Sequence, residues 1–353
     1  MADEEQIVQA KKPLRVTPRR FRRVGRRGFT WGLPRKFPGY FADTSTVVLG
    51  AAPKFILKTS NLKDPQYIVK YAQKHGQQET LTEFFINQLG AALGLNIAHS
   101  GLILSDDELT FVSRIFIDED EVLRHGSLII EDCFKKGTTV DANELERIHP
   151  RTEQEFYSID FVTSVLRNFC GKDFASIFPP FIEMLVFDAL IGSMDRHSQN
   201  WGVLAKSSGP VTYSFSPIFD TARSLLWSLD EKQIERMAGE ENDDPTATRA
   251  YEARVLKFVD KAQPCMGPLR NHPKVNRCNH FDFVENLLEL YPLETASALK
   301  KIGYDLENRA ARLLRQFPFR TRFTGKRRRL ILKILAIRAD RLRKILEKGG
   351  NLK

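Results

Sequence analysis

The sequence is poor in cysteine, and its cysteines are far apart. Four of its 353 residues are cysteine, at positions 133, 170, 265 and 278. Disulfide scaffolds belong mainly to small secreted domains, so we expect a reducing compartment. Four side chains could in principle form a zinc site: Cys265, His272, Cys278 and His280. Its spacing matches no common zinc finger.

Long apolar runs are also lacking. No stretch approaches the ~18 consecutive apolar residues that a membrane-spanning helix needs. The charged N-terminus is not followed by an apolar segment, which argues against a secretory signal peptide. We therefore expect a cytoplasmic protein, or one delivered to a host cell if it acts as an effector.

The chain is basic, and the excess charge lies at its two ends. The apolar fraction of 42% is that of a globular protein, while the net charge is +10. Residues 1–45 are predicted to form a largely irregular basic arm, and residues 326–329 read Lys-Arg-Arg-Arg. Either end could meet an acidic partner, nucleic acid or an anionic membrane. The alternative is a solvated face, or a basic rim for the protein's own ligands.

Three short polar side chains form the most informative pattern. Asp195 and Asn200 are five positions apart, and Asp220 follows a predicted β-hairpin over residues 203–215. The apolar segment 178–190 predicts a buried helix that ends just before Asp195. Phosphoryl transfer uses this layout: one Asp accepts the proton of the attacking hydroxyl, while an Asn and a later Asp hold the metal ion that bridges the nucleotide phosphates.

Two segments carry a resemblance to a known family. Residues 190–201 read Leu-Ile-Gly-Ser-Met-Asp-Arg-His-Ser-Gln-Asn-Trp, and residues 216–220 read Ser-Pro-Ile-Phe-Asp. Both segments resemble the catalytic and metal-binding segments of HipA-like serine/threonine kinases. The resemblance implies an α+β, bilobal, protein-kinase-like fold. We expect a β-rich N-lobe over residues 46–117 and a helical C-lobe with a helical extension over residues 118–353.

A small-residue turn between two predicted strands is a candidate phosphate loop. Gly and Ala let backbone amides approach a phosphate closely. HipA-like kinases have a similar turn followed by a lysine, so the resemblance assigns Gly50, Ala51 and Lys54 to nucleotide binding. The family's autophosphorylated serine falls at Val47 in this sequence. A plain hairpin turn is the alternative.

The predicted strand 66–70 ends in a lysine, and a predicted helix from Thr80 to Gly94 follows. A strand lysine can neutralise the α- and β-phosphates, and a helix glutamate can hold it in place. Lys70 and Glu83 match the family's pair. Glu79 competes for the second role, but it stands where the helix is only beginning.

Three further expectations concern the hinge, the start of the helical lobe and the last helix. By resemblance, the predicted strand 109–116 leads into the segment that meets adenine, with Ile115 and Phe116 as the nearest positions. The segment 118–124 is expected to begin the helical lobe. The last predicted helix, residues 330–346, is apolar on one face and basic on the other, so it either packs on the lobe or lies on an anionic surface.

The sequence therefore predicts an ATP- and Mg²⁺-dependent protein kinase with a Ser or Thr acceptor. In this interpretation Asp195 is the base, Asn200 and Asp220 hold the metal, and Lys70 braced by Glu83 neutralises phosphate. His197 is assigned to loop structure. The alternatives are a lipid kinase of the phosphoinositide type and a catalytically inactive, basic nucleic-acid-binding module. The resemblance also allows for an antitoxin-like regulator.

Overall fold

A computed structural model describes most of the chain. The described residues are 40–43, 54–61, 64–72, 75–105, 108–135, 157–239, 245–269, 278–317 and 323–350. Most of the predicted basic arm lies outside these ranges, as do Gly50 and Ala51 of the predicted phosphate turn. The predictions for those segments therefore stay predictions.

A five-stranded antiparallel sheet forms the first part of the molecule. Its strand order is β1-β2-β3-β5-β4. The strands are β1 (Phe41–Asp43), β2 (Lys54–Lys58), β3 (Tyr67–Lys70), β4 (Ser100–Ser105) and β5 (Glu108–Arg114). In β3, Tyr67 and Val69 are buried while the residues between them are partly exposed, which is the alternation of a strand with one covered face.

Helix α1 (Gln77–Ala92) connects β3 to β4 and is buried over most of its length. The sequence placed this helix at residues 80–94, so its type was right and its ends were displaced by about one turn. Gly90 marks a close approach, because a Cβ there would lie 2.8 Å from Ile97 and 3.3 Å from Phe187. The absent side chain lets α1 pack directly against the helix that carries Phe187.

A second, three-stranded sheet lies in the other part of the molecule. It contains β6 (Glu121–His125), β7 (Gly202–Lys206) and β8 (Thr212–Phe215), all antiparallel. The β7–β8 hairpin confirms the hairpin predicted before Asp220. The expectation that residues 118–124 begin the helical lobe was wrong, because most of this segment forms β6. Its charged residues hid the pairing with β7, since β6 is an edge strand with partly exposed side chains.

The described remainder is helical. The helices are α2 (Gly126–Lys135), α3 (Ile159–Cys170), α4 (Phe174–Ile191), α5 (Glu231–Ala238), α6 (Pro245–Lys261), α7 (His280–Leu290), α8 (Pro292–Gly303), α9 (Leu306–Gln316) and α10 (Gly325–Gly350). A sheet-bearing region followed by a mostly helical one is the predicted α+β architecture.

The stretch from α3 to α4 is the most apolar part of the molecule. Residues 159–191 contain an 18-residue window with a mean hydropathy of 1.7, long and apolar enough to cross a membrane. The expectation that no apolar stretch approaches this length was therefore wrong, because it considered only uninterrupted runs. Of this window, 72% is buried inside the protein, where Ile177, Phe181 and Leu185 belong to the main core. Packing in the core accounts for its composition.

Helix α10 runs through the helical lobe and contacts its neighbours on several sides. It packs against α4, α5, α6, α7, α8 and α9. Leu330, Ile334 and Leu342 are buried, and so are two arginines, Arg327 and Arg338. Of the two alternatives for the last helix, packing on the lobe is the one that the structure shows.

Candidate active site

Four charged side chains from distant parts of the chain meet where β2 begins and β3 ends. The ammonium of Lys70, at the end of β3, lies 3.0 Å from an oxygen of Glu83 in α1 and 2.7 Å from Oδ1 of Asp220. Lys54, at the start of β2, is 3.9 Å from the other oxygen of Asp220. The predicted pairing of Lys70 with Glu83 is therefore present, with both oxygens of Glu83 within hydrogen-bond distance of the ammonium.

Lys70 and Asp220 hold their charges although the cluster is largely buried, whereas burial raises the pKa of Glu83 to about 7 against the opposing charge of Lys70. Burial by itself lowers the pKa of Lys70, but the carboxylates of Glu83 and Asp220 outweigh this effect and leave that pKa raised. Burial would likewise raise the pKa of Asp220, yet Lys70 and Lys54 lower it to about 2. Lys70 is therefore a cation and Asp220 an anion throughout the physiological pH range.

Asp220 reaches the cluster through a short bridge between the two parts of the molecule. After β8, Ile218 forms a parallel bridge with Ile97, and Ala98 donates its N–H to the Ile218 carbonyl at 2.9 Å. Asp220 itself has a φ of 53°, a left-handed conformation that is uncommon outside glycine. Thr221 then donates to Asn87 of α1 at 2.8 Å. The strained backbone is held from both sides, a pattern often found at functional sites.

The Asp195 loop, residues 192–201, begins where α4 ends. Gly192 terminates α4 in the left-handed conformation, with a φ of 65°. The loop is then tied by Arg196, which is 2% exposed and forms two hydrogen bonds with the Asp188 carboxylate at 2.8 and 3.0 Å. The same guanidinium donates to the carbonyls of Asn200 and Phe219 at 2.6 and 2.8 Å. One buried arginine thus joins α4, the loop and the segment that carries Asp220.

Asp195 and Asn200 lie together on this loop. Asn200 donates its side-chain N–H to the Asp195 carbonyl at 2.7 Å, and its amide nitrogen is 3.2 Å from Nε2 of His197. Nδ1 of His197 accepts from the Gln199 N–H at 3.2 Å. These contacts agree with the structural role predicted for His197. Burial raises the pKa of Asp195 above its usual value, although Arg223 opposes the shift.

The predicted hinge residues follow β5. The N–H of Ile115 donates to the Gln66 carbonyl at 2.9 Å, so this amide is used inside the sheet region. The ring of Phe116 lies 5.8 Å from that of Phe219, the residue before Asp220. Phe116 therefore lies beside the charged cluster, whereas the N–H of Ile115 is not available to a nucleotide.

Comparisons with known proteins place this geometry in a family. A model of the HipA-like C-terminal domain matches residues 46–274, about two thirds of the chain. The chain belongs to the HipA-like C-terminal domain family. The matched range includes Lys54, Lys70, Glu83, Asp195 and Asp220.

A relative with a reviewed description supports the assignment. Over 114 residues the chain is 29% identical to the serine/threonine-protein kinase CtkA of Helicobacter pylori. This alignment covers 32% of the chain and 33% of CtkA, so it spans a third of the length of that relative.

One solved structure shows the same fold. The crystal structure of the Helicobacter pylori proinflammatory kinase CtkA superposes with a TM-score of 0.65 at 16% identity, covering 85% of this chain and 94% of that one. The fold of this family member is therefore kinase-like. HipA of Shewanella oneidensis, in a complex with HipB and operator DNA, matches with a TM-score of 0.46 at 11% identity, covering 86% and 66% of the two chains.

Within this HipA-like domain, the sequence interpretation missed several residues of the site. Arg196 and Asp188 form its buried ion pair, and Arg223 binds the Asp195 carboxylate. A signal for the first pair was available, because Asp188 is a lone carboxylate in an otherwise apolar segment of α4 and needs a partner. No sequence signal singled out Arg223.

Asn200 and Asp220 fit a magnesium ion by the chemistry of their donors. Mg²⁺ takes oxygen ligands and is commonly held by one or two protein groups together with substrate phosphates. Among the described residues, no group of three or more His, Cys, Asp or Glu side chains could hold a metal. The same finding applies to three residues of the possible zinc site considered above, Cys265, Cys278 and His280. Its fourth residue, His272, lies outside the described residues.

Proposed function

We propose that this chain is an ATP- and Mg²⁺-dependent kinase that transfers the γ-phosphate to a Ser or Thr hydroxyl of a protein. The observation that supports it best is the contact of Lys70 with both Glu83 and Asp220, at 3.0 and 2.7 Å. Protein kinases need a lysine held by a helix glutamate next to a metal-binding aspartate. Three separate elements of this chain supply those groups at one point.

Lys70 and Lys54 would bind the nucleotide phosphates. Both ammonium groups already lie against carboxylates, and the raised pKa of Lys70 keeps it charged in a largely buried place. Phosphate oxygens can take over contacts that Asp220 makes in the free protein. Glu83, which is 3% exposed at its side chain, would keep Lys70 in position during that exchange.

Asp220 and Asn200 would hold Mg²⁺, which supplies neutralisation of the charge that develops on the phosphates. The low pKa of Asp220, about 2, means that its carboxylate needs no deprotonation before it binds a cation. Asn200 is fixed by its hydrogen bond to the Asp195 carbonyl, so the metal-binding amide and the proposed base move as one unit.

Asp195 would accept the proton of the acceptor hydroxyl. It lies on a loop whose backbone is held by Arg196, so its carboxylate is presented by a rigid support. A positioned general base typically contributes a hundredfold to ten-thousandfold to the rate. The choice of a Ser or Thr hydroxyl on a protein rests on the likeness to CtkA, whose name states that activity.

The test is transfer of label from γ-labelled ATP with Mg²⁺ present. Protein acceptors, the chain itself and phosphoinositide vesicles are offered in parallel, and phosphorylated residues are identified by mass spectrometry. We expect phosphoserine or phosphothreonine, which Asp195→Asn abolishes. Labelled lipid without labelled protein would favour the lipid-kinase alternative, and no transfer to any acceptor would contradict the proposal. A cytoplasmic location and an acidic partner, nucleic acid or anionic membrane at the basic termini are proposed from the sequence, and an antitoxin-like regulator from the family resemblance.

A further inference from the structure

Arg223 contacts the carboxylate of Asp195 from outside the Asp195 loop. Its Nη1 lies 2.9 Å from Oδ1 of Asp195. The backbone is joined as well, because Met194 donates its N–H to the Arg223 carbonyl at 3.1 Å. The arginine thus meets the loop at both its main chain and its side chain.

Aromatic contacts fix the direction from which Arg223 approaches. Its guanidinium carbon lies 5.7 Å from the ring centre of Trp227, within the range of a cation–π contact. Trp227 in turn packs edge-on against His75, with 4.7 Å between ring centres. His75 lies two residues before α1, the helix that carries Glu83. A chain of contacts therefore leads from Arg223 through Trp227 to the start of that helix.

The contact between Arg223 and Asp195 matters for the geometry of the site more than for stability. The two side chains are 39% and 22% exposed, and a pair of that exposure contributes typically below ~1 kcal/mol to stability. What matters is which oxygen of the Asp195 carboxylate the arginine engages. The contact engages Oδ1, and among the described residues Oδ2 of Asp195 has no hydrogen-bond or salt-bridge partner. One oxygen is held while the other is left for an incoming group.

We propose that Arg223 is a positioning residue for phosphoryl transfer, which holds Asp195 by one oxygen and leaves the other to receive the acceptor proton. This inference rests on the proposed kinase function. In the step, the acceptor oxygen bonds to the γ-phosphorus and its proton passes to Oδ2. The bond from that phosphorus to the β,γ-bridging oxygen breaks, and ADP leaves with the electron pair.

The experiment compares Arg223→Ala and Arg223→Lys with a matched control, Arg341→Met. Arg341 also pairs with an aspartate, Asp260, and also lies over an aromatic ring, Phe281 at 4.8 Å, but among the described residues it pairs with neither Asp195 nor the Lys70 cluster. Steady-state rates are measured with labelled ATP at saturating and limiting ATP. Melting temperatures are recorded for the same samples.

We expect Arg223→Ala to lower kcat about tenfold to a hundredfold, since misplacement of a reacting group by about 1 Å costs on that scale. The KM for ATP should stay within about twofold, because in the described part of the chain Arg223 pairs with Asp195 and makes no contact with the Lys70 cluster. Arg223→Lys should recover part of kcat, and added guanidinium at low millimolar concentration should restore activity to Arg223→Ala. The same guanidinium should not restore Asp195→Asn. Arg341→Met should match the wild type.

Several results would overturn the inference. If Arg223→Ala has a wild-type kcat, the contact is irrelevant, and if its kcat exceeds wild type, Arg223 restrains the base. If Arg223→Ala melts early, the decision falls to Arg223→Lys: a folded Lys variant as inactive as the Ala variant, with no rescue by guanidinium, would contradict positioning by charge. A wild-type protein without any transfer would overturn the proposed function itself, whereas an active wild type with an equally active Arg223→Ala would overturn this inference alone.

Discussion

Two buried cations in this molecule, Lys70 and Arg338, have different kinds of partner. Lys70 lies between the carboxylates of Glu83 and Asp220, which raise its pKa. Arg338 of α10 has no carboxylate at salt-bridge distance among the described residues. It donates instead to the backbone carbonyls of Ala189 at 2.7 Å and Val259 at 3.0 Å, and burial lowers its pKa to about 9.

The Lys70 cluster can exchange its partners for a ligand, whereas Arg338 holds backbone carbonyls in place. The contact of Lys70 with Asp220 can be exchanged for one with phosphate oxygens, because both groups accept charge-assisted hydrogen bonds from an ammonium group. The carbonyl of Ala189 is one of the orphan acceptors at the end of α4, just before the Asp195 loop, and Arg338 satisfies it. We therefore expect changes at the Lys70 cluster and Asp195 to alter rate and ligand binding, and changes around Arg338 to alter stability.

The largest expected effect concerns the base. Asp195→Asn keeps the size of the side chain but removes its proton affinity, so turnover should fall about a hundredfold to ten-thousandfold. ATP affinity should barely change, because Asp195 is assigned to the acceptor. Label transfer and ATP titration measure the two quantities on one sample, and circular dichroism controls for folding. Near-normal turnover in Asp195→Asn, with activity lost in His197→Ala, would reverse the roles given to these residues.

The second effect concerns metal-dependent binding. ATP should raise the melting temperature only with Mg²⁺ or Mn²⁺, and at a hundredfold excess over Kd the stabilisation corresponds to about 2.7 kcal/mol. Asp220→Ala should remove this metal-dependent part and leave a folded protein. Equal stabilisation by ATP in EDTA would contradict the assignment of Asp220 to metal binding.

The residues of the candidate site could be named from the sequence because each belongs to a short segment with a recognisable local pattern. Asp195, Asn200 and Asp220 were recognisable from their spacing and the hairpin between them. Lys70 was found as a lysine that ends a strand, and Glu83 because an apolar stripe accompanies it. The type of β3 followed from its alternation of buried and partly exposed residues, and that of α4 from a long apolar segment, which is buried over most of its length.

What could not be predicted depends on contacts over long sequence distances. The guanidinium of Arg338 meets Ala189 across 149 positions, and nothing in the sequence near either residue indicates the other. Segment 118–124 was misassigned for a related reason, since the partner that makes it a strand is β7, about 80 positions later. The basic face of α10 suggested a surface, whereas two of its arginines are buried as caps for other segments.

The third prediction tests the contrast between the two cations directly. Arg338→Met leaves the carbonyls of Ala189 and Val259 buried without their donor, which costs about 1–3 kcal/mol for each unsatisfied group. The free energy of unfolding, measured with urea, should therefore fall by a few kcal/mol.

Lys70→Met is the matched change at the other cation. It removes a charge but leaves Glu83 and Asp220 able to protonate or to reach solvent, so we expect a smaller loss of stability together with a large loss of turnover. Equal losses of stability in the two variants would contradict the separation of roles drawn above.

The smallest effect concerns His280, which is close enough to Arg338 to feel its charge. His280 is 1% exposed, and its Nε2 donates to the Ser193 carbonyl at 2.8 Å, while no partner for Nδ1 is found in the described part of the chain. Burial, followed by the charge of Arg338, lowers the pKa of His280 well below 6.5.

The unfolded chain therefore binds a proton at this position before the folded protein does. Stability from this group is complete above pH ~6.5 and is lost as the pH falls, by at most about 1.4 kcal/mol per pH unit. His280→Gln keeps a donor for the Ser193 carbonyl but cannot titrate, so its stability should depend less on pH between 6.5 and 5 than that of the wild type. Urea unfolding at several pH values measures the difference, which cancels the other six histidines of the chain. Parallel curves for the two proteins would show that His280 takes up its proton equally in the folded and unfolded states, which would contradict a pKa lowered by burial.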